Sequence, residues 1–252
     1  MDYAPGRSAA SSLTRPFRFT YRAAKHLRED ERPTMKTTEW DHLPEHWRCA
    51  LRQAWEAYGV GTVPVGAAVV DPEGKLAAQA RNRIFHSDPP PPGQIAGSWL
   101  AHAEVNAICQ IDPERSRGSD GWAVYTTLEP CPLCTGAITV AFTGRITVGY
   151  ASADSMSGGL GTLRATAIGR RRQWEIQKLD GPLAVFAELL LALYSLDARP
   201  DGITAALYRG PAWQSVIQIA RPSVATAREC GMGIEQLLTS IWTHLQLPPE
   251  SQ

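Results

Sequence analysis

Ala101-His102-Ala103-Glu104 and Thr127-Leu128-Glu129-Pro130-Cys131-Pro132-Leu133-Cys134 are the two stretches whose reading decides the fold of this chain. Each stands where a loop or strand gives way to a helix. Residues 122–128 are rich in β-forming side chains and read as a strand; Glu129-Pro130 then breaks into a helix beginning near Cys131. Residues 101–111 read as a second, short helix. Cysteines at i and i+3 share one face of a helix, and in its first turn their thiolates lie near the positive end of the helix dipole. With one neutral imidazole added, His102, Cys131 and Cys134 make a three-ligand zinc set. The fourth tetrahedral position stays open for water, which separates catalytic from structural zinc. Zinc-assisted hydrolysis also needs a proton carried from water to a leaving group, and Glu104 is the candidate. Residues two apart point to nearly opposite faces within a helix, so His102 and Glu104 can converge only at the loop–helix junction.

Other readings of these residues stay open at this point. Cys131 and Cys134 could be a redox pair, although that leaves His102 and Glu104 without a role. A structural zinc would need a fourth ligand, for which His86 and Cys109 are the candidates. Cys49 and Cys109 are otherwise read as core packing on two helices.

Working outward, residues 44–58 carry Trp47, Leu51, Ala54, Trp55 and Tyr58 at three- and four-residue spacing, an amphipathic helix that Gly59 and Gly61 end. Residues 63–70 and 75–82 read as a hairpin across Asp71-Pro72-Glu73-Gly74. Residues 83–100 include four consecutive prolines at 89–92 and read as a long irregular loop. After the strand at 122–128 and its helix, residues 145–150 give a fourth strand. A helix of about ten residues between the two suits a right-handed crossover and makes them parallel. Residues 174–178 offer a fifth strand and residues 183–196 a strongly apolar helix. Beyond Asp197 the sequence turns to short mixed segments, then a final helix at residues 234–245.

The division expected is a tail over residues 1–34, a domain over 35–197 and a C-terminal extension over 198–252. The tail is rich in Arg and Ser, with no acidic residue between Tyr3 and Arg28 and no apolar core segment. It reads as a disordered or non-native leader with Met35 as a natural start, or as a transit-peptide-like segment. The chain has 25 basic and 25 acidic residues, and beyond residue 34 the balance is 18 to 21. A slightly acidic domain argues against a polyanionic partner, because nucleic-acid binders normally show a basic surface. The run Arg170, Arg171, Arg172 reads as solvated surface. No apolar run approaches the roughly 20 residues of a membrane span. Five cysteines without framework spacing fit a reducing, cytoplasmic setting.

His-Ala-Glu followed by Pro-Cys-x-x-Cys resembles the signature of the cytidine-deaminase-like superfamily. Val63-Pro64-Val65-Gly66-Ala67, Arg81-Asn82-Arg83 and Thr135-Gly136-Ala137 extend the likeness, over about residues 44–160, toward its tRNA-adenosine and guanine deaminase branch. The resemblance implies a three-layer α/β/α fold with a mixed five-stranded sheet, here followed by an α-rich extension. It also implies a homodimer or higher oligomer, Zn2+ as cofactor, and hydrolytic release of ammonia from an amino-substituted ring. Asn82 matches an asparagine that hydrogen-bonds the base; Ala103 and Trp99 are the other candidate substrate contacts, and a loop anchor tucked against the core is the competing reading of Trp99. Two departures bear on the substrate. The proline-rich loop, with Phe85, His86 and Trp99, remodels the pocket entrance, and residues 151–161 keep Asp154 and glycines but lack the basic residue of the tRNA enzymes. The expected substrate is a small amino-heterocycle such as guanine, cytosine or an aminotriazine. A tRNA adenosine, or a non-catalytic zinc-binding role in protein interaction, is the alternative.

Overall fold

The computed structural model describes residues 37–153 and 158–246. The expectations for residues 1–34, for Met35 and for Asp154 fall outside them. The first half of the chain runs α1 (Thr37–His42), α2 (Glu45–Gly59), β1 (Gly66–Val70), β2 (Leu76–Arg81), α3 (Ala103–Ile108), α4 (Pro113–Ser116) and β3 (Trp122–Leu128). It continues through α5 (Pro132–Ala141), β4 (Ile146–Ser152), α6 (Gly159–Arg164), α7 (Ala167–Arg171), β5 (Trp174–Lys178), α8 (Pro182–Ala198), α9 (Ile203–Leu207), α10 (Pro211–Glu229) and α11 (Ile234–Leu245). The strands form one sheet in the order β2-β1-β3-β4-β5. β1 is antiparallel to β2 and β3, while β3, β4 and β5 are parallel. This is the mixed five-stranded sheet expected, with helices on both faces.

Alternation along the strands sends side chains to two separate cores. On one face the two antiparallel strands present small side chains. Ala67, Val69, Ala78 and Ala80 pack with Trp122, Val124, Ile146 and Val148 of the sheet against Ala103 and Ala107 of α3 and Ile138 and Phe142 of α5. On the other face Trp47, Leu51 and Trp55 of α2 and Phe186, Leu189, Leu190 and Leu193 of α8 form a larger core. That core continues into Val216, Ile217, Ala220 and Val224 of α10 and Leu237, Leu238, Ile241 and Trp242 of α11. The C-terminal helices therefore bury their apolar faces in the same core as α2 and α8.

Several expectations change. Residues 63–65 precede the strand rather than belong to it, since β1 starts at Gly66. The helix at 101–111 is shorter, Ala103–Ile108, because His102 keeps an extended backbone as its N-cap. The mixed segments beyond Asp197 contain a 19-residue helix, α10. Pro222 interrupts the helical pattern there, but it lies exposed, as does Gln218, whose carbonyl the proline leaves without a donor and whose position opens to water. Cys109 is exposed rather than packed in a core, because it sits at the C-cap, one residue past the packed face of the short helix α3. Cys49 is buried as expected, and its thiol lies 3.3 Å from Glu45 Oε1.

Gly66 marks the closest approach of helix and sheet. A Cβ there would overlap the Ala50 carbonyl oxygen and crowd the Ala54 amide of α2. Gly66→Ala should push α2 off the sheet and destabilise the protein by about 1–3 kcal/mol. Denaturant titration would register this as a lower midpoint at an unchanged slope; an unchanged midpoint would show that the helix is free to shift.

Candidate active site

The chemistry-bearing side chains stand at the starts of two helices on the same sheet face. His102 is the N-cap of α3, with φ −68° and ψ 153°, and Glu104 lies in the first turn behind it. Cys131 is the N-cap of α5, with Pro132 opening the helix and Cys134 one turn on. The extended backbone at His102 lets two residues only two apart face one point, which a regular helix forbids.

The three ligand-type atoms form a tight triangle. Cys131 Sγ and Cys134 Sγ are 3.6 Å apart, and His102 Nδ1 lies 3.7 Å from the first and 3.4 Å from the second. Around a tetrahedral zinc, with Zn–S about 2.3 Å and Zn–N about 2.0–2.1 Å, the edges would be roughly 3.8 Å between sulfurs and about 3.6 Å from sulfur to nitrogen. The triangle fits zinc without rearrangement. His102, Cys131 and Cys134 are the one cluster of at least three His, Cys, Asp or Glu side chains with metal-binding spacing among the described residues.

Glu104 is buried against this triangle. Its Oε1 accepts a hydrogen bond from Thr126 Oγ1 at 3.1 Å, and its Oε2 accepts one from the Cys134 thiol at 3.3 Å. Burial raises the Glu104 pKa, with the neighbouring imidazole opposing. The hydrogen bond with Cys134 holds the Cys131 pKa down to about 4, and His102 adds to the effect. Cys134 is pushed up by that same hydrogen bond, by burial and by the Glu104 carboxylate. The interaction with Cys131 raises the His102 pKa. In their ionised forms, two sulfurs and a carboxylate packed this closely would need a cation among them, and the donor set of two sulfurs and one imidazole selects a borderline-soft divalent ion such as zinc.

Several supporting residues escape sequence reasoning. Thr126 lies on the same β3 face as Trp122 and Val124, and a polar residue on a buried strand face is the signal that could have found it. Asn106, fully buried one turn beyond His102, accepts from the Ile95 amide at 2.8 Å and donates to the Ile95 carbonyl at 3.1 Å. It thereby pins the proline-rich loop to α3. Pro130 is held by Thr135 Oγ1 at 3.1 Å and by the Gly159 amide at 3.0 Å, and a Cβ on Gly159 would overlap the Cys131 backbone.

Asn82 is buried beyond the end of β2. Its Oδ1 accepts from Thr62 Oγ1 at 3.1 Å and from the Ile84 amide at 3.0 Å. A backbone N–H can only donate, so that atom must be the oxygen, and the amide nitrogen is the free end of the side chain. Ala103 is buried in the first turn of α3. Trp99 is 72% exposed and is not tucked against the core. His86 lies apart from the triangle, 3.4 Å from Arg81 and 3.5 Å from Asp88, and Cys109 is exposed outside it as well. Arg170 and Arg171 are exposed, while Arg172 reaches back to the carbonyls of Thr143 and Thr139. No helix is long and apolar enough to cross a membrane among the described residues.

Residues 40–150 match the family described as "Cytidine and deoxycytidylate deaminase zinc-binding region". The chain is 28% identical over 151 residues to the tRNA-specific adenosine deaminase of Aquifex aeolicus, an alignment covering 58% of this chain and 92% of that one. It is 34% identical over 115 residues to the tRNA-specific adenosine deaminase of Rickettsia bellii, covering 44% and 70%. The cytosine deaminase of Candida albicans is 27% identical over 100 residues, covering 40% and 61%.

One divalent zinc per chain is the expected metal content, measured by elemental analysis of purified protein. Cys134→Ser should drop it below about a tenth, because a hydroxyl is a poor ligand for this ion; full occupancy in that variant would exclude Cys134 from the site.

Proposed function

The chain belongs to the cytidine-deaminase-like superfamily of zinc-binding deaminases, and from that premise we propose that it removes the exocyclic amine of a small nucleobase-type ring, leaving a carbonyl and free ammonia. The observation that carries this reading is the buried Glu104 carboxyl, anchored by Thr126 and set against the three-donor triangle. Zinc, when bound, supplies the Lewis acid that makes water a nucleophile near neutral pH.

In this reading the chain's own residues do the rest. Glu104 takes a proton from water at one carboxylate oxygen and returns it to the departing nitrogen, so that one residue serves as base and then acid. Burial raises its pKa above the ordinary carboxylate range, which favours its holding the proton between the two transfers. Thr126 restrains one oxygen and so fixes the rotamer that carries the proton. Asn82, its oxygen tied up by Thr62 and Ile84, has its amide nitrogen left to donate to the ring, and Ala103, whose methyl group is buried against the sheet, can offer the ring only its backbone at the helix start. Closely spaced donors on fixed backbone lower the entropic part of the barrier.

The nearly balanced charge and the remodelled entrance loop support a small substrate such as guanine, cytosine or an aminotriazine, as does the likeness to a cytosine deaminase. A second reading, deamination of a tRNA adenosine, is favoured by the 34% identity to an enzyme of that name. Such a substrate would have to be splayed from its loop into the pocket. Homodimerisation, a cytoplasmic setting and the division at residues 34 and 197 also belong to this reading.

Zinc-loaded protein should release ammonia from at least one member of a panel of aminopurines, aminopyrimidines and aminotriazines. Glu104→Gln should keep its zinc and lose about 10²–10⁴-fold in kcat. Silence across the panel, or undiminished turnover in the variant, would sink the proposal. Salt-sensitive binding of an anticodon stem-loop would move the assignment to the second reading.

A further inference from the structure

The loop over residues 83–100 connects two residues of the candidate site, Asn82 at its start and His102 just past its end. Its backbone is held at both ends. The Arg83 amide donates to the Ala101 carbonyl at 2.9 Å, the Gly97 amide to the Arg83 carbonyl at 3.1 Å, and Arg83 Nε to Gln94 Oε1 at 2.9 Å. Asn106 secures its middle. Nearer the site, the Thr62 hydroxyl that holds Asn82 also accepts from the Phe85 amide at 3.5 Å, and the His102 amide donates to the Leu100 carbonyl at 2.8 Å.

Phe85 and Trp99 meet across the loop. Each is three residues from a site residue, Asn82 on one side and His102 on the other. Their rings are perpendicular, at 85°, with centroids 5.6 Å apart. The guanidinium of Arg199, at the C-cap of α8, lies 4.7 Å from the Phe85 centroid. The cation holds Phe85, and Phe85 sets the plane of Trp99. Despite this support both rings stay open to solvent, Trp99 by 72% and Phe85 by 43%, and Leu100 beside them by 54%. A contiguous exposed apolar patch on well-tethered backbone marks a contact surface, where a scattered single side chain would not.

We propose that Trp99, propped by Phe85 and Arg199, is a stacking platform at the mouth of the site for a second flat group of the substrate. The preferred substrate is then an amino-heterocycle bearing an aryl or similar planar substituent on the edge that faces out of the pocket. The platform rests on the deaminase reading of the site. Its occupant is defined by chemistry: an indole face flanked by a guanidinium-backed ring favours a planar, polarisable partner. Because the stack forms equally in the bound substrate and in the transition state, it acts on KM more than on kcat.

The test compares kcat/KM for cytosine with 1-benzylcytosine, and for guanine with 9-benzylguanine, in the zinc-loaded full chain. The wild-type protein should favour the benzylated member of the pair it accepts. Trp99→Ala should lower that preference about tenfold, chiefly through KM, and Trp99→Phe should keep most of it. Thermal melts of each variant check that the fold is intact. No preference in the wild type, or a preference that Trp99→Ala leaves unchanged, overturns the platform while the deaminase reading stands. Ammonia from neither pair nor any panel member takes down both.

Discussion

Everything around the site follows from one geometric demand: two sulfurs, one imidazole nitrogen and a carboxylate must meet within a few ångströms, and the sequence carries them on two helices that are far apart in the chain. The demand is met by bringing both helix starts to the same sheet face. Cys131 caps α5 directly after β3, His102 caps α3 directly after the long loop, and the two helices pack over Ala67, Val69, Ala78 and Ala80. Small side chains on the strands let the helices come close. A slip of β3 by one residue would turn Thr126 away from Glu104 and replace an anchored carboxyl with a free one.

The opposite face has a different task. Its core is larger and richer in aromatic and leucine side chains, and it runs continuously from α2 through α8 into α10 and α11. Arg52 of α2 binds Glu235 of α11 at 2.9 Å, and Trp55 Nε1 donates to the Met232 carbonyl at 2.9 Å. The charged pair is half exposed and contributes little; the apolar burial holds the C-terminal helices in place. The end of α8 then delivers Arg199 to the loop beside the site. Helices packed on the face away from the triangle can in this way bear on the loop beside it.

Most of the sheet is legible in the sequence. Residues 122–128 and 174–178 coincide with β3 and β5, and the crossover length between β3 and β4 correctly implies a parallel pair. These segments are legible because β-forming residues bounded by breakers leave little choice. Residues 210–230 are not, since Pro222 breaks a periodicity that burial of Val216, Ile217, Ala220 and Val224 restores. Cys109 departs from its expected place for a related reason: pattern alone does not tell that the helix ends one residue before it. Thr62, Asn106 and Thr126 stay invisible as site supports because each works through a partner distant in sequence.

Taken alone, the sequence determined which side chains could hold a metal and put Glu104 beside them. Spacing of i and i+3 on a helix, and a histidine two residues before a glutamate at a loop–helix junction, are local constraints that any fold must respect. Only the tertiary structure decided how those groups are restrained and what surrounds them. Thr126 reaches Glu104 from β3, Thr62 turns the Asn82 amide, Asn106 ties down the proline-rich loop, and Arg199 stacks on Phe85. Each of these contacts joins segments that meet only when the two faces of the sheet are packed, and no local pattern encodes them.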